Sequence, residues 1–181
     1  MHKALLAGLL VCAGAAQAQE GLIHKLEIGQ HDRLLAVMKG RAPTPFTTDG
    51  CSGGLSVGWS FFAETFPGFA EINGNRPPWE DCCFAHDRAY HDPDATTAEA
   101  SYDARLAADK VLSACVRASA PDQSAALQKA YGLSEEGVQM VFDAIAGAMF
   151  DAVRVGGGPC TLLPWRWGYG YPLCIQATLQ D

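Results

Sequence analysis

The sequence predicts an all-α protein, and three observations predict that class. Apolar residues recur with helical spacing in several segments of the chain. Proline and glycine residues separate those segments from one another. Strand-like alternation of polar and apolar residues is weak throughout. Three or four helices are therefore expected to form the core.

Composition narrows the possible classes of protein. The 181 residues are 49% hydrophobic and 18% charged, which excludes a disordered, collagenous or coiled-coil chain. The length indicates a single domain with a substantial core. The net charge of −7 makes a nucleic-acid partner unsuitable, because phosphate binding needs a basic surface. Anionic membranes are expected to repel the chain at long range.

The N-terminus has the features of a secretory signal peptide. Residues 1–18 contain the basic Lys3, an apolar stretch over Ala4–Ala16 and small residues up to Ala18. This pattern predicts cleavage after Ala18. The apolar stretch is short for a membrane span, so an N-terminal anchor is the weaker alternative. We expect the mature chain, residues 19–181, to be secreted or periplasmic and to form one domain.

The cysteines support export. Cleavage after Ala18 would remove Cys12. The alternative of a lipoprotein site at Cys12 is disfavoured, because the preceding Val11 is bulky where a small residue is needed. An even set in an exported protein predicts three disulfide bonds, although six cysteines allow fifteen connectivities. The six that remain are Cys51, Cys82, Cys83, Cys115, Cys160 and Cys174.

The first part of the mature chain is expected to contain one helix and a loop. The helix covers Leu22–Met38, loosened near Gly29 and ended by Pro43. The segment Thr47–Ser56 is rich in Gly, Ser and Thr, which is typical of a loop. An aromatic stretch and a turn at residues 73–75 follow; its rings are Trp59, Phe61, Phe62, Phe66 and Phe69.

Two central helices are expected next. One covers Pro78–His91, because proline is accepted in a first helical turn. The next begins at a capping box formed by Thr96 and Glu99 and runs to about Ala118, with Pro121 beyond it.

A fourth helix is expected over Ser134–Val155, where six apolar residues form one stripe. The glycines from Gly156 end it. An aromatic tail follows, with Trp165, Trp167, Tyr169 and Tyr171 between the last two cysteines. Aromatic rings favour both protein cores and membrane interfaces. Two interpretations therefore stay open for this tail and for the 59–69 stretch: lipid binding and packing in the core.

Helix geometry brings several reactive residues together. Cys82, His86 and Tyr90 are spaced i, i+4 and i+8 and share one helix face. In an antiparallel helix pair, facing positions have nearly constant index sums, and this holds for Cys82 with Cys115 and for His86 with Asp109. A disulfide bond between the first pair would hold the second pair close.

That arrangement indicates hydrolytic chemistry. A histidine oriented by a buried carboxylate is a general base near neutral pH and can activate water. Asp87 projects about 100° away from His86 and suits a hard cation. The glycine-rich loop Asp49–Gly54 can supply carbonyl ligands, and a Cys51–Cys83 bond would hold it over the helix. Tyr90 would then lie near Tyr102 or Asp109.

The segment CCFAHDRAY after a DGCSGG loop resembles the secreted phospholipase A2 superfamily, whose active-site helix reads CCxxHDxxY. The resemblance covers roughly residues 45–118. It implies that His86 is the water-activating base and that Asp109 orients it. It implies further that Tyr90 steadies the Asp109 carboxylate and that Asp87 binds Ca²⁺.

The resemblance also implies disulfide bonds and calcium ligands. The implied bonds are Cys51–Cys83 and Cys82–Cys115, which leave Cys160 and Cys174 for each other. The loop has one cysteine where animal enzymes have two, and it is closer to bacterial and divergent members. Asp49 and Gly50 are the better expected ligands and the Ser52 and Gly54 carbonyls the weaker ones, with a backbone amide near Gly53 assisting the reaction.

The expected function is calcium-dependent hydrolysis of the sn-2 ester of glycerophospholipids at a membrane surface, without an acyl-enzyme. A serine hydrolase is disfavoured because no GxSxG segment occurs. One alternative is a non-catalytic module that binds calcium, lipid or protein, although such a module needs none of His86, Asp87 and Asp109. Another is a small helical disulfide protein with a coincidental motif. The roles of residues 55–80 and of the extension from about 122 are open.

Overall fold

The fold is described from a computed structural model, covering the backbone of residues 21–177 and the side chains of residues 21–175. The signal peptide predicted over residues 1–18 lies outside that range. Residues 21–177 form helices and connecting loops without a strand, which confirms the all-α class. The helices are α1 (21–38), α2 (Leu55–Thr65), α3 (Pro67–Asn73), α4 (Glu80–His91), α5 (Ala98–Ala118), α6 (Ala120–Tyr131), α7 (Glu135–Gly156) and α8 (Cys174–Ala177).

Three disulfide bonds join the pairs expected from the resemblance. Cys51 bonds to Cys83, and the Cys82–Cys115 bond ties the antiparallel helices α4 and α5 at a Cα–Cα distance of 5.7 Å. The third bond joins Cys160 to Cys174. The helix pair therefore has a covalent link near the start of α4.

Helix α7 packs along α5 and completes the main core. Its apolar stripe places Val138, Phe142 and Ala146 in the interior, each at most 2% exposed. They form one cluster with the two disulfide bonds of α4, with Trp79 before α4 and with Leu112 on α5. A second cluster joins Leu34, Tyr90, Trp167 and Cys174.

Two helix starts differ from the sequence prediction. The helix predicted from Pro78 begins at Glu80, because a turn closes first, with the amide of Glu80 donating to the carbonyl of Pro77. The capping box predicted at Thr96 is wrong by one residue. Thr97 is the N-cap of α5, and its hydroxyl accepts from the amide of Ala100 at 3.2 Å.

Other predictions were incomplete. Helix α1 continues through Gly29, so the predicted loosening there is wrong. Helix α5 ends at Ala118 with Pro121 beyond it, as predicted, and Pro121 lies in the first turn of α6, a helix that was not predicted and whose first turn needs no amide donor there. The aromatic stretch forms the short helices α2 and α3. Helix α7 agrees with the prediction, with Ser134 as its N-cap.

The tail after α7 folds back onto the helix pair. The Trp167 amide donates to the Gly157 carbonyl at 2.8 Å, and its indole donates to Ser101 at 2.9 Å. Trp167 is 2% exposed, whereas Phe61 on α2 is 62% exposed. The aromatic residues therefore divide between core and surface. Among the described residues, no helix is both long enough and apolar enough to cross a bilayer.

Candidate active site

His86 and Asp109 meet at the interface between α4 and α5. The imidazole Nε2 lies 2.9 Å from Oδ1 of the carboxylate. His86 is 8% exposed and Asp109 is fully buried. The Cys82–Cys115 bond stands one helical turn before His86 on α4 and fixes the register of the two helices. The structure thus brings the predicted pair within hydrogen-bond distance.

The environment of Asp109 keeps its carboxyl group ionised. Burial alone raises its pKa, but hydrogen bonds from His86 and Tyr90, with the nearby guanidinium groups, outweigh burial and hold the pKa below its ordinary value. An ionised carboxylate only accepts hydrogen bonds. We therefore assign the proton of the neutral His86 ring to Nε2, which leaves Nδ1 as the basic atom.

Tyr90 also contacts Asp109, which decides between the two predicted neighbours. Its hydroxyl donates to Oδ1 of Asp109 at 2.6 Å and accepts from Nε of Arg105 at 3.2 Å. Its ring lies against the His86 ring, with centroids 4.1 Å apart. Burial raises the pKa of the Tyr90 phenol, so it acts as a neutral donor. Tyr102 instead packs against His24 and His31.

A charged network behind Asp109 was not predicted. Arg154 on α7 donates from Nη1 to Oδ2 of Asp109 at 3.0 Å. Its Nη2 donates to both carboxylate oxygens of Glu27 on α1, each at 2.9 Å. Arg105 contacts the same Glu27 carboxylate. These contacts span 45 to 127 sequence positions, so no local pattern in the sequence could have identified them.

Asp87 faces the loop before α2. Its side chain is 6% exposed, and the Thr48 hydroxyl donates to its Oδ2 at 2.5 Å. Burial, with a smaller contribution from the negative charge of Asp49, raises the pKa of Asp87 to about 6. The Cys51–Cys83 bond holds the loop against α4. Two carboxylates therefore lie close together beside the base.

The loop has a defined conformation. Gly50 has φ +79°, and a Cβ there would lie 2.7 Å from the Ser56 hydroxyl, so a larger residue cannot fit unchanged. The Ser52 hydroxyl donates to Oδ1 of Asp49 at 2.9 Å. The Gly54 carbonyl accepts from the amide of Gly58 at 2.7 Å and so belongs to the first turn of α2.

The donor set around Asp87 is made of oxygen atoms. Within the described part of the chain, no group of three or more His, Cys, Asp or Glu residues could hold a metal ion. A cation here would need backbone carbonyls in addition to Asp49 and Asp87. Such a set suits a hard ion such as Ca²⁺ and does not suit Zn²⁺, which favours nitrogen and sulfur.

Two cavities meet at Asp87. The first, of about 260 Å³, contains His86 and Asp87, and most of its wall is apolar; the wall includes Leu55, Leu112, Met149, Ala152, Val153 and Trp165. The second, of about 220 Å³, contains the oxygen-bearing side chains of Thr48, Asp49, Ser52 and Asp87, with Pro164, Trp165 and Tyr169 also in its wall. The first cavity offers an apolar chain access to the base, and the second gathers oxygen ligands.

No protein-family model, curated protein or solved structure matches the chain. The functional proposal therefore rests on the residues and geometry of the site.

Proposed function

We propose that this protein is an exported, phospholipase A2-like hydrolase that depends on calcium and cleaves the sn-2 ester of glycerophospholipids. The observation that supports the proposal most directly is the buried His86–Asp109 pair, with His86 and Asp87 both lining a mostly apolar cavity. The three disulfide bonds support export, because such bonds persist in oxidising compartments.

His86 is the general base of the proposed reaction. Its Nε2 is engaged by Asp109, so Nδ1 accepts a proton from water as the water attacks the ester carbonyl. Asp109 then stabilises the imidazolium ion. In the next step His86 returns the proton to the departing glycerol oxygen, and the fatty acid is released. The proton thus moves from water to the leaving group through one ring.

A water nucleophile suits this site better than a serine. Ser52 lines the same cavity as His86, but its hydroxyl donates to Asp49 and not to the imidazole. A serine nucleophile needs a hydrogen bond to its base. No covalent acyl-enzyme is therefore expected.

Asp87 and Asp49, with the carbonyls of Gly50, Ser52 and Gly54, are the proposed calcium ligands. Gly54 is the weakest of these, because its carbonyl is already an acceptor in α2. A bound calcium ion would supply Lewis-acid polarisation of the ester carbonyl. Gly53 lines the cavity beside His86, and its amide is the proposed donor to the developing oxyanion.

The cavity wall supports a lipid substrate. Apolar side chains from α2, α5 and α7 surround the space next to His86. Outside it, α2 exposes Phe61 and Phe62, which are 62% and 53% exposed. Aromatic residues at a membrane surface bind through their apolar rings, which suits a protein of net negative charge.

The test is fatty-acid release from mixed phospholipid vesicles, with calcium and with a chelator. The parent protein and the control His24→Gln, an exposed histidine on α1, are expected to release fatty acid only with calcium. His86→Gln is expected to release none. Release that survives chelation would remove calcium from the mechanism, and release by His86→Gln would remove the base. Calcium-dependent vesicle binding without release would favour the non-catalytic module.

A further inference from the structure

Both oxygens of the Asp109 carboxylate are held by donors from other helices. Oδ1 accepts from His86 and Tyr90 on α4, and Oδ2 accepts from Arg154 on α7. Contacts at one oxygen alone would leave the carboxylate free to rotate about its Cβ–Cγ bond. The Arg154 contact at the second oxygen removes that freedom.

Arg154 is itself fixed from two sides. Its Nη2 donates to both oxygens of the Glu27 carboxylate on α1, each at 2.9 Å. Its backbone carbonyl accepts from Nη2 of Arg105 at 2.9 Å, and the same nitrogen donates to the Val153 carbonyl at 2.6 Å. A planar guanidinium held in this way has few alternative orientations.

The network is also balanced in charge. Glu27 and Asp109 are acidic and Arg105 and Arg154 are basic, and all four side chains are at most 16% exposed. A buried carboxylate beside a guanidinium stays ionised, and an ionised Asp109 is the form that accepts the proton of His86 Nε2. The low pKa of Asp109 agrees with this arrangement.

We propose that Arg154, held in place by Glu27, is a positioning residue that fixes Asp109 and thereby selects the tautomer of His86 with its proton on Nε2. The inference rests on the proposed function for its catalytic consequence. The tautomer itself is a property of the resting protein. Arg154 is not among the residues that line the cavity, and its side chain donates to Asp109 and Glu27, so its path to the base runs through Asp109.

The test compares Arg154→Gln, Arg154→Lys and Glu27→Gln with the parent protein. Arg117→Gln is the matched control, because Arg117 also joins α5 to α7, through Asp143, but lies at the exposed far end of α5. Each protein is assayed for kcat and KM on phospholipid vesicles. The ¹⁵N chemical shifts of the His86 ring are recorded at one mildly alkaline pH, where the neutral tautomers are resolved.

Arg154→Gln is expected to lower kcat by roughly tenfold or more, because a well-placed general base contributes about 10²–10⁴-fold. KM is expected to change by less than about twofold, because no contact with the cavity is lost. The His86 signals are expected to move towards a mixture of tautomers. Arg154→Lys retains the charge and should recover part of the loss, and Glu27→Gln should cause a smaller fall than Arg154→Gln. Arg117→Gln should match the parent in both measurements.

Parent values of kcat and parent ¹⁵N shifts in a folded Arg154→Gln would overturn the proposal. If Arg154→Gln does not fold, the test uses Glu27→Gln and Arg154→Lys instead. His86 ring ¹⁵N shifts equal to those of the parent protein in both variants would then reject the proposal. If the parent protein releases no fatty acid, the proposed function fails. The ¹⁵N shifts then still decide whether Arg154 sets the tautomer.

Discussion

Nε2 of His86 lies 2.9 Å from Oδ1 of Asp109, although 23 sequence positions separate the two residues. The two helices that carry them are joined one turn earlier by the Cys82–Cys115 bond. Because α4 and α5 are antiparallel, the bond sets which residues face each other further along. Any change that shifts one helix against the other would therefore separate the imidazole from its carboxylate.

Replacing Asp109 with Asn tests the importance of its charge. The change breaks the ion pair between Arg154 and Asp109, leaves Arg154 paired with Glu27, and presents an amide to His86. We expect the free energy of unfolding to fall by about 3–5 kcal/mol, as for a broken buried ion pair. Hydrolysis should fall by about 100-fold or more.

Urea unfolding and the vesicle assay measure these two effects for Asp109→Asn. Asp103→Asn is the control on the same helix, because Asp103 is exposed. It should change the stability by less than about 0.5 kcal/mol. An Asp109→Asn protein with parent hydrolysis would contradict the assigned role.

Glu27 should make stability depend on pH in the acid range. Burial raises its pKa, but the contact with His31 and the charges of Arg105 and Arg154 outweigh burial and lower the pKa from 4.5 to about 2. Its stabilisation is therefore complete above about pH 4.5 and is lost as the pH falls towards 2. At neutral pH the ionised Glu27 side chain is expected to contribute about 3 kcal/mol to the free energy of unfolding.

The measurement is urea unfolding of the parent protein and Glu27→Gln over this pH range. The difference in unfolding free energy between them should be largest at neutral pH and should shrink as Glu27 becomes protonated. A difference that stays constant down to pH 2 would show that these contacts do not lower the pKa of Glu27.

Removing the Cys82–Cys115 bond by a double alanine substitution should lower the unfolding free energy by about 2–4 kcal/mol. It should also reduce hydrolysis per folded molecule, because the register of α4 and α5 loosens beside His86. The comparison is the Cys160–Cys174 bond, which spans 14 positions against 33. The shorter loop predicts a smaller loss of stability. Equal hydrolysis in the two variants would contradict the role of the first bond in holding the pair.

The exposed rings of α2 should bind lipid surfaces. Replacing Phe61 and Phe62 together with Ser is expected to weaken binding to zwitterionic vesicles while hydrolysis of a short, dispersed ester is retained. A Met140→Ser variant is the control, because Met140 is 67% exposed on α7. Since the protein is acidic, we expect weaker binding to anionic vesicles at low salt. Equal binding to both vesicle types would count against this model.

The sequence predicted the parts of the fold that local patterns determine. Helix α7 has a long apolar stripe and Ser134 as its cap, so its bounds were close to correct. Thr96 and Thr97 are adjacent hydroxyl residues, and the capping-box spacing to Glu99 favoured Thr96, although Thr97 caps α5. Pro121 follows α5 and also lies in the first turn of α6, and the sequence pattern around it indicated only the end of the first of these helices.

The candidate site was predictable on the α4–α5 pair and in the loop Asp49–Gly54 that the Cys51–Cys83 bond holds against α4. His86, Tyr90 and Asp109 follow from helix spacing and a resemblance to known enzymes. Glu27 and Arg154 stand 127 positions apart, and their contact depends on how α1 and α7 pack. Charged residues on separate helices give no periodic signal, so no sequence pattern could pair them.

Helix α7 carries both Arg154 and the Met149 and Val153 side chains of the cavity wall. A shortened protein that stopped after α5 would keep every residue of the resemblance, yet the Asp109 carboxylate would lose its Arg154 partner and the cavity beside His86 would lose the α7 side of its wall. Such a fragment is expected to aggregate through the bared Leu112 and Trp79 surface. Adding a separate peptide that spans residues 134–157 should restore solubility by complementation.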